Sequence, residues 1–163
     1  MKRVSLFVDV QNIYYTTRQI YGRSFNYNRF WAEATRNRQV VEAYAYAIGR
    51  HDEKQRQFQN ILRAIGFEVK LKPYIQRSDG SAKGDWDVGI TLDVIEAAAR
   101  TDTIVLASGD GDFDLLLKRV RERFGVETEV YGVPGLTATS LIQATTRYRP
   151  IADDLLLPTH THP

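Results

Sequence analysis

Apolar and polar positions follow two different periods along the chain, and the changes of period predict five strands separated by helices. Short, nearly continuous apolar runs predict strands one, two and four at residues 4–8, 40–48 and 104–107. Strands three and five, at residues 67–71 and 126–131, alternate apolar with charged positions. Apolar residues at helical spacing predict helices at residues 13–21, 29–35, 51–65, 86–99, 113–124 and 139–144, and a last extended segment is predicted at residues 148–151.

The contrast between the two kinds of strand predicts their order in one sheet. Strands that alternate with helices form parallel sheets with right-handed crossovers. The apolar strands one, two and four suit interior positions covered on both faces, whereas the alternating strands three and five suit edges. We therefore predict an α/β fold, a Rossmann-like three-layer sandwich with the parallel order 3-2-1-4-5. Strands one and four then meet at the switch point, where open α/β sheets bind ligands.

Acidic residues are concentrated at this switch point. Asp9 ends strand one, and Asp110 and Asp112 follow the glycine turn after strand four. Adjacent strands lie about 4.8 Å apart, so these carboxylates are expected roughly 5 Å from one another. Asp87 begins the helix that leads into strand four and is expected to face the same crevice. Asp85 is the alternative to Asp87, and the sequence leaves the choice between them open.

Each of these polar residues also has an ordinary structural interpretation. Asp87, Asp112 or Asn12 near a helix start is a common N-cap. Asp114 suits a solvated helix face, and Asp93, among apolar neighbours, suits a buried polar group bonded to backbone. Acids at the ends of both central strands nevertheless favour one shared site. With the Asn12 amide they form an all-oxygen set that suits Mg²⁺ or Mn²⁺, ions that orient phosphodiesters and activate water.

Composition limits the other classes of function. The 163 residues are 43% hydrophobic and 26% charged, which predicts one soluble domain, and the net charge of +2 is compatible with a polyanionic partner. The absence of cysteine excludes disulfides, thiolate catalysis and cysteine-bound zinc. No apolar stretch is long enough to span a membrane, and the amino terminus lacks the pattern of a signal peptide. We therefore predict a cytoplasmic protein without a membrane partner. We place the domain at residues 1–152 and a disordered tail at residues 153–163.

Other phosphate-binding and cation-binding motifs fit less well. Neither a P-loop nor a G-x-G-x-x-G fingerprint is present. The alternating acids imitate an EF-hand opening, but Leu115 and Arg121 occupy its glycine and glutamate positions. The segment Gly109-Asp110-Gly111 resembles the acidic turn of haloacid dehalogenase phosphatases. However, Gln11 stands where that family has its general acid, so a phosphatase is the less favoured alternative.

Three ordered motifs resemble the NYN domains, a bacterial branch of the PIN-like nucleases. Residues 7–12, FVDVQN, resemble the opening FxDxxN signature. Residues 83–88, KGDWDV, together with Asp93, resemble the central K-G-x-x-D-V…D motif, and residues 108–113, SGDGDF, resemble the SGDxDF motif. Residues 125–132 are similar to the segment of the last core strand. The resemblance therefore extends from about residue 4 to residue 151.

The resemblance implies a PIN-like fold and a Mg²⁺- or Mn²⁺-dependent ribonuclease site. The catalytic and metal-binding residues that it implies are Asp9, Asp87, Asp110 and Asp112, with Asn12 as the amide of the site. The implied reaction is endonucleolytic hydrolysis of RNA phosphodiesters by a metal-activated water. A catalytically silent RNA-binding or regulatory module is the alternative.

Substrate contacts are predicted beside the acidic crevice. We expect Asn12, Lys83, Arg77 and Ser108 to bind the substrate, with the two basic residues contacting phosphates. The polar loop at residues 75–85 is predicted to be flexible. An open crevice beside a flexible loop suits an unpaired strand, so single-stranded RNA is the predicted partner.

Overall fold

The computed structural model of the protein describes residues 1–49, 52–73, 75–76, 82–83 and 85–158. Its strands are β1 (Lys2–Asp9), β2 (Arg38–Gly49), β3 (Glu68–Pro73), β4 (Ile75–Gln76), β5 (Ala82–Lys83), β6 (Thr103–Ala107), β7 (Glu127–Gly132) and β8 (Arg147–Pro150). Its α-helices are α1 (Val10–Tyr21), α2 (Tyr27–Ala34), α3 (Glu53–Ile65), α4 (Asp87–Ala98), α5 (Asp114–Phe124) and α6 (Thr139–Ala144). Short 3₁₀ turns cover Gly111–Phe113 and Asp153–Leu155.

Six parallel strands form the central sheet, in the order β3-β2-β1-β6-β7-β8. The predicted order 3-2-1-4-5 is confirmed, because predicted strands four and five are β6 and β7. In the register of the two central strands, Val8 lies beside Ala107, so β1 and β6 end together. A sixth strand, β8, extends the sheet beyond β7. The short strands β4 and β5 pair antiparallel and form a separate two-stranded sheet.

Alternate residues of β1 face two separate hydrophobic cores. Val4, Leu6 and Val8 pack into the core under α1, α2 and α3, whereas Phe7 packs into the core under α4, α5 and α6. All four side chains are fully buried. A strand covered on both faces favours apolar residues at nearly every position, which explains the run that predicted this strand, with Ser5 as its one buried polar residue.

Strand β7 lies inside the sheet, although its alternating charges had suggested an edge. Its glutamate Glu129 is buried on the side of α1, α2 and α3. The Glu129 carboxylate accepts hydrogen bonds from the Arg38 guanidinium, with the shorter N–O distance 2.7 Å, and from Arg147 at 3.3 Å. The charge in this strand therefore reflects an internal ion pair.

The first helix begins three residues earlier than predicted. Asp9 ends β1 and also caps α1, because its carboxylate accepts a hydrogen bond from the backbone N–H of Asn12. Asn12 therefore lies inside the first turn of α1, and the interpretation of Asn12 as a helix cap is wrong. Its amide is free to reach a neighbouring strand end.

The boundary predicted after residue 152 is also wrong. Leu155 and Leu156 are buried in the core that contains α1 and α2. The backbone N–H of Asn26 donates to the carbonyl of Leu155, and Leu157 donates to the carbonyl of Ser24. These apolar side chains and hydrogen bonds make the segment up to residue 158 part of the domain. Residues 159–163 lie outside the described residues.

The predicted loop at residues 75–85 falls largely outside the described residues. Residues 74, 77–81 and 84 are not described, so the prediction for Arg77 falls outside them. For Lys83 the structure gives the main chain, within β5, and not the side chain. Among the described residues, no helix combines the length and hydropathy that a membrane crossing requires.

Candidate metal centre

Three carboxylates from three separate elements converge at the carboxyl end of the central strands. Asp9 is the last residue of β1, Asp87 is the first residue of α4, and Asp110 follows β6. One carboxylate oxygen from each residue lies within 4.8 Å of the other two. The parallel pairing of β1 with β6 produces this proximity, because both strands end at the same edge. The three oxygens are close enough to bind one cation together.

The carboxylate of Asp9 is buried and held by two hydrogen bonds. The backbone N–H of Asn12 donates to its Oδ1 at 3.4 Å, and the Ser108 hydroxyl donates to its Oδ2 at 3.1 Å. Ser108 is itself fully buried. The orientation of Asp9 is therefore fixed by α1 on one side and by the end of β6 on the other.

The turn after β6 is positioned by the side chain of Asn12. The backbone N–H of Gly109 donates to Asn12 Oδ1 at 2.8 Å. A Cβ atom at Gly109 would lie 2.4 Å from the carbonyl oxygen of Leu136, so only glycine allows this close approach. Asp110 then accepts the backbone N–H of Asp112 at 2.9 Å and caps the 3₁₀ turn. This turn directs the Asp110 carboxylate toward Asp9.

Asp87 is positioned by the residues that precede α4. The indole Nε1 of Trp86 donates to the carbonyl of Ala47 at 2.9 Å, which ties the start of the helix to β2. Lys72 donates to the carbonyl of Asp85 at 2.9 Å, and its ammonium lies 4.6 Å from the Trp86 ring centroid. A cation over an indole face is a favourable contact. These contacts anchor the first turn of α4 over the carboxyl end of the sheet.

The three carboxylates open into a crevice with a volume of about 240 Å³. Acids, amides and hydroxyls dominate its lining. The lining residues are Asp9, Gln11, Asn12, Tyr15, Thr16, Asp85, Asp87 and Asp110.

The crowding of negative charge changes the acidity of two of these groups. The pKa of Asp9 is raised to about 6, and burial is the largest cause. The hydrogen bonds from Asn12 and Ser108 oppose this rise, and the charges of Asp110 and Asp85 add to it. Burial and the charges of Asp110, Asp85 and Asp9 raise the pKa of Asp87 to about 7. Both carboxylates are therefore costly to ionise in this crevice without a cation.

The NYN domain family matches this sequence over residues 3–152. That span contains every residue that lines the crevice. The chain belongs to the NYN domain family. The resemblance of its three motifs is thereby confirmed, and family membership links the chain to the PIN-like nucleases.

Individual proteins are similar to this NYN chain over most of its length. Low amplitude and bright protein LabA of Synechococcus elongatus is 29% identical over 159 residues, which is 93% of this chain and 84% of that protein. A protein of unknown function from Vibrio parahaemolyticus, VPA0982, has 56% identity and a TM-score of 0.92, with 96% of each chain covered. Ribokinase from Giardia lamblia has 13% identity and a TM-score of 0.50, with 91% of this chain and 57% of that chain covered, and shows the fold alone.

Asp112 and Asp85 lie outside the group of three. Asp112 is exposed, and its backbone, rather than its carboxylate, contacts Asp110. Asp112 is not among the carboxylates that lie within 4.8 Å of one another, so its role as a ligand stays a prediction. Asp85 lines the crevice, but its carboxylate accepts the backbone N–H of Asp87 at 3.3 Å. Asp87 is thus the member of this pair that joins Asp9 and Asp110.

The predicted substrate residues Asn12 and Ser108 bind other parts of the site instead. The Asn12 oxygen accepts from Gly109, and the Ser108 hydroxyl accepts from the backbone N–H of Asp110 while it donates to Asp9. Because Ser108 is fully buried, it has no surface with which to contact a substrate. The prediction of direct contact by Ser108 is wrong, and both residues position the NYN carboxylates.

The motif acid Asp93 has a role that the sequence did not reveal. We had expected a bond to backbone, but its Oδ2 accepts from the Tyr46 hydroxyl at 2.8 Å and from the Lys70 ammonium at 2.7 Å. Tyr46 lies in β2 and Lys70 in β3, so Asp93 joins α4 to two strands. It therefore supports the helix that begins with Asp87.

Sequence reasoning missed three residues of α1 that line the crevice. Gln11, Tyr15 and Thr16 lie on the face that follows the Asp9 cap. For Tyr15 and Thr16 the available signal was their spacing from Asn12, since positions three and four apart share one side of a helix. That signal depends on the true start of α1 at Val10, which the prediction had placed later.

Proposed function

We propose that this NYN protein is a metal-dependent endoribonuclease that hydrolyses phosphodiesters of single-stranded RNA. The observation that carries the proposal is the convergence of Asp9, Asp87 and Asp110 within 4.8 Å. In the part of the chain that the structure describes, no ion pair with a basic side chain reaches these acids. Three carboxylates held together without a cationic partner suit an external cation.

The chemistry of the donor set favours Mg²⁺ or Mn²⁺. All three donors are carboxylate oxygens, and hard divalent cations prefer such ligands together with water. When bound, such an ion neutralises charge on a phosphodiester and lowers the pKa of a coordinated water. We assign Asp9, Asp87 and Asp110 as its ligands.

The remaining residues of the centre keep these ligands in place. Ser108 and Asn12 connect the end of β1, the start of α1 and the turn after β6 through hydrogen bonds of 3.1 Å and 2.8 Å. Such support fixes ligand geometry before a cation arrives, which reduces the reorganisation that binding requires. A proton on Asp9, whose pKa is about 6, or on Asp87, whose pKa is about 7, must leave when a cation binds, so binding below about pH 7 should release protons.

The lining of the crevice favours attack by water over a covalent intermediate. The described residues that line it include no histidine, cysteine or lysine. Asp9 is the candidate nucleophile of the phosphatase alternative. Gln11, two residues later, cannot supply the general acid that this alternative needs, which makes it the less favoured reaction. The family relationship to PIN-like nucleases supports RNA as the substrate.

The test is cleavage of a set of labelled single-stranded RNAs by purified protein. We expect cleavage in Mn²⁺ or Mg²⁺, none in EDTA, and recovery when Mn²⁺ is restored. Asp110→Asn should lose about 10²-fold or more of the rate, because it removes one of the charges that hold the cation on which stabilisation of the reacting phosphate depends. Glu122→Gln is the matched control, since Glu122 is an exposed acid near the far end of α5.

The outcomes separate the proposal from its alternatives. Equal cleavage in EDTA, or wild-type rates in Asp110→Asn, would contradict the nuclease proposal. Binding of RNA without cleavage by any metal-loaded preparation would favour the catalytically silent module. Hydrolysis of a phosphomonoester through an aspartyl-phosphate on Asp9 would favour the phosphatase.

A further inference from the structure

Two exposed aromatic side chains stand next to each other beside the crevice. Among the residues that the structure describes, three aromatic side chains are strongly exposed: Tyr15 at 58%, Tyr14 at 48% and Phe124 at 42%. Two of the three are neighbours on α1. Exposed aromatic surface costs free energy in water, and a cluster of it marks a surface that binds something.

Tyr15 belongs to the same crevice as the carboxylates. It lines the crevice with Asp9 and lies four residues after Gln11, on the same face of α1. Six residues separate Tyr15 from Asp9, which corresponds to a rise of about 9 Å along the helix. Side chains on a helix lean toward its amino terminus, which brings the Tyr15 ring closer to the carboxylates than this rise. The ring therefore stands at the rim of the candidate metal centre.

The neighbouring residues hold this ring in place. The Tyr14 ring packs edge-on against Tyr15, with centroids 5.4 Å apart and an interplanar angle of 74°. Arg18 donates to the Tyr14 hydroxyl at 2.9 Å and its guanidinium lies 5.4 Å from the Tyr14 ring centroid. Tyrosine also loses little conformational entropy on binding because it has only two side-chain torsions. Tyr15 is thus a supported, exposed aromatic face.

The charge of the crevice determines which kind of contact a nucleic acid can make there. Asp9, Asp85, Asp87 and Asp110 repel the phosphates of a strand that approaches the rim. A neutral phenol ring attracts a base by stacking, and this attraction does not depend on phosphate charge. The base must be unpaired to expose its face to the ring. The rim therefore favours a single strand over a duplex.

We infer that Tyr15 is a stacking platform for an unpaired base next to the phosphate at the carboxylates. The inference rests on the proposed function for the nature of the strand. It adds a binding role for a residue outside the metal-ligand set. Arg18, which steadies Tyr14, lies on the same exposed part of α1 and offers a positive charge to the flanking backbone.

The test is binding of a single-stranded RNA that contains 2-aminopurine, measured in EDTA so that no cleavage occurs, at about 0.15 M salt so that repulsion between the carboxylates and the phosphates is screened. Loss of one aromatic stack costs about 1–3 kcal/mol, so Tyr15→Ala should weaken binding roughly 5-fold to 150-fold. Tyr15→Phe keeps the ring and should bind within about 2-fold of wild type. Phe124→Ala removes an equally exposed ring at the far end of α5 and should leave binding unchanged.

A second measurement identifies stacking itself. Replacing bases one at a time by an abasic site should weaken binding to wild type at one particular position. In Tyr15→Ala the same replacement should have no further effect, because the two changes remove the same contact. Quenching of 2-aminopurine at that position should also disappear in Tyr15→Ala and remain in Tyr15→Phe.

The results distinguish this inference from the proposed nuclease activity. Wild-type affinity in Tyr15→Ala overturns the inference even where cleavage is observed, as expected if Tyr15 instead contacts a protein. Equal loss of affinity for single strands and duplexes also overturns it. A ring-dependent affinity in a protein that never cleaves RNA supports the stacking platform while the nuclease proposal fails.

Discussion

Buried negative charge occurs in two regions of this protein, and the two regions treat it in opposite ways. In β7, Glu129 is 1% exposed and is paired with Arg38 and Arg147. In the crevice, Asp9 is 9% exposed and accepts only uncharged donors, while Asp87 and Asp110 lie beside it. The first region contains its own counter-charge. Among the described residues the second region has no basic partner, and we propose that a cation supplies its counter-charge.

This difference separates structural charge from functional charge. A buried carboxylate that is fully paired contributes to the fold, and removal of one partner destabilises it. A group of carboxylates without a cation raises the free energy of the folded state and becomes favourable only when a cation binds. Four experiments test this contrast, from the largest expected effect to the smallest.

The largest expected effect is on catalysis. Asp9→Asn should lower the rate of RNA cleavage about 10²-fold to 10³-fold, because it keeps the shape and removes one charge from the metal centre. Glu129→Gln should keep the rate per folded molecule within about 2-fold. Single-turnover cleavage, normalised to the folded fraction, makes the comparison. Equal rates for wild type and Asp9→Asn would remove Asp9 from the mechanism.

The next effect is on the free energy of unfolding. Here substitution of Glu129 in β7 should matter most, whereas substitution of Asp9 in the crevice should matter most for the cleavage rate. Glu129→Ala should lower the free energy of unfolding by about 3 kcal/mol, because it leaves the half-buried Arg38 without its partner. The control is Glu127→Ala, which removes an exposed partner of Arg147 and should cost about 1 kcal/mol or less. Denaturant titration gives both values. A Glu129→Ala protein as stable as Glu127→Ala would mean that burial of this pair contributes nothing.

The sequence pattern predicted the crevice because its causes are local. Continuous apolar runs report burial on both faces, so residues 4–8 and 104–107 were placed at the centre of the sheet, as the structure has them. Once these strands are parallel neighbours, Asp9 and Asp110 must lie together. The position of a helix start left Asp85 and Asp87 as alternatives, and the structure places Asp87 in the group. These steps need only periodicity, strand spacing and chain direction.

The features that the sequence did not predict depend on distant partners or on single torsions. Glu129 looked like an edge residue because its partner Arg38 lies 91 positions away. The exclusion of Asp112 depends on the 3₁₀ turn that Asp110 caps, which directs the Asp112 carboxylate to solvent. Tyr15 was overlooked because α1 begins at Val10, where Asp9 caps it. Apolar periodicity carries no information on any of these features.

A dependence on pH sharpens the comparison without any mutation. The pKa of Asp9 is raised from 3.8 to about 6 and that of Asp87 to about 7, so the folded state holds protons that the unfolded chain releases. Metal-free protein should therefore lose stability as the pH rises from about 4 to about 7. The contribution of Asp9 is on the order of 3 kcal/mol. Chemical denaturation in EDTA at pH 5 and pH 8 measures the loss, and Asp9→Asn should reduce it. Greater stability at pH 8 than at pH 5 would contradict the attribution of this loss of stability to Asp9 and Asp87.

The smallest expected effect is the stabilisation of the folded protein by a bound metal ion, and it can be compared between variants of the two regions. Ligand binding to the folded state adds RT ln(1 + [L]/Kd), so Mg²⁺ or Mn²⁺ at ten times its Kd should add about 1.4 kcal/mol. For a chain of this length that corresponds to roughly 3–5 °C in Tm. Glu129→Gln should lower the starting Tm and keep the full increment, because its charge does not face the cation.

Asp110→Asn should behave in the opposite way. Removing one of three crowded charges relieves repulsion with Asp87 and Asp9, so the metal-free Tm should rise or stay unchanged. The rise in Tm on addition of Mg²⁺ should be smaller than in wild type, because an amide is a weaker ligand than a carboxylate and the remaining two carboxylates attract a cation less strongly. Glu122→Gln, at an exposed position, should change neither quantity. A full metal increment in Asp110→Asn would mean that the cation binds elsewhere, and a lower metal-free Tm would mean that the Asp110 charge is paired, as that of Glu129 is.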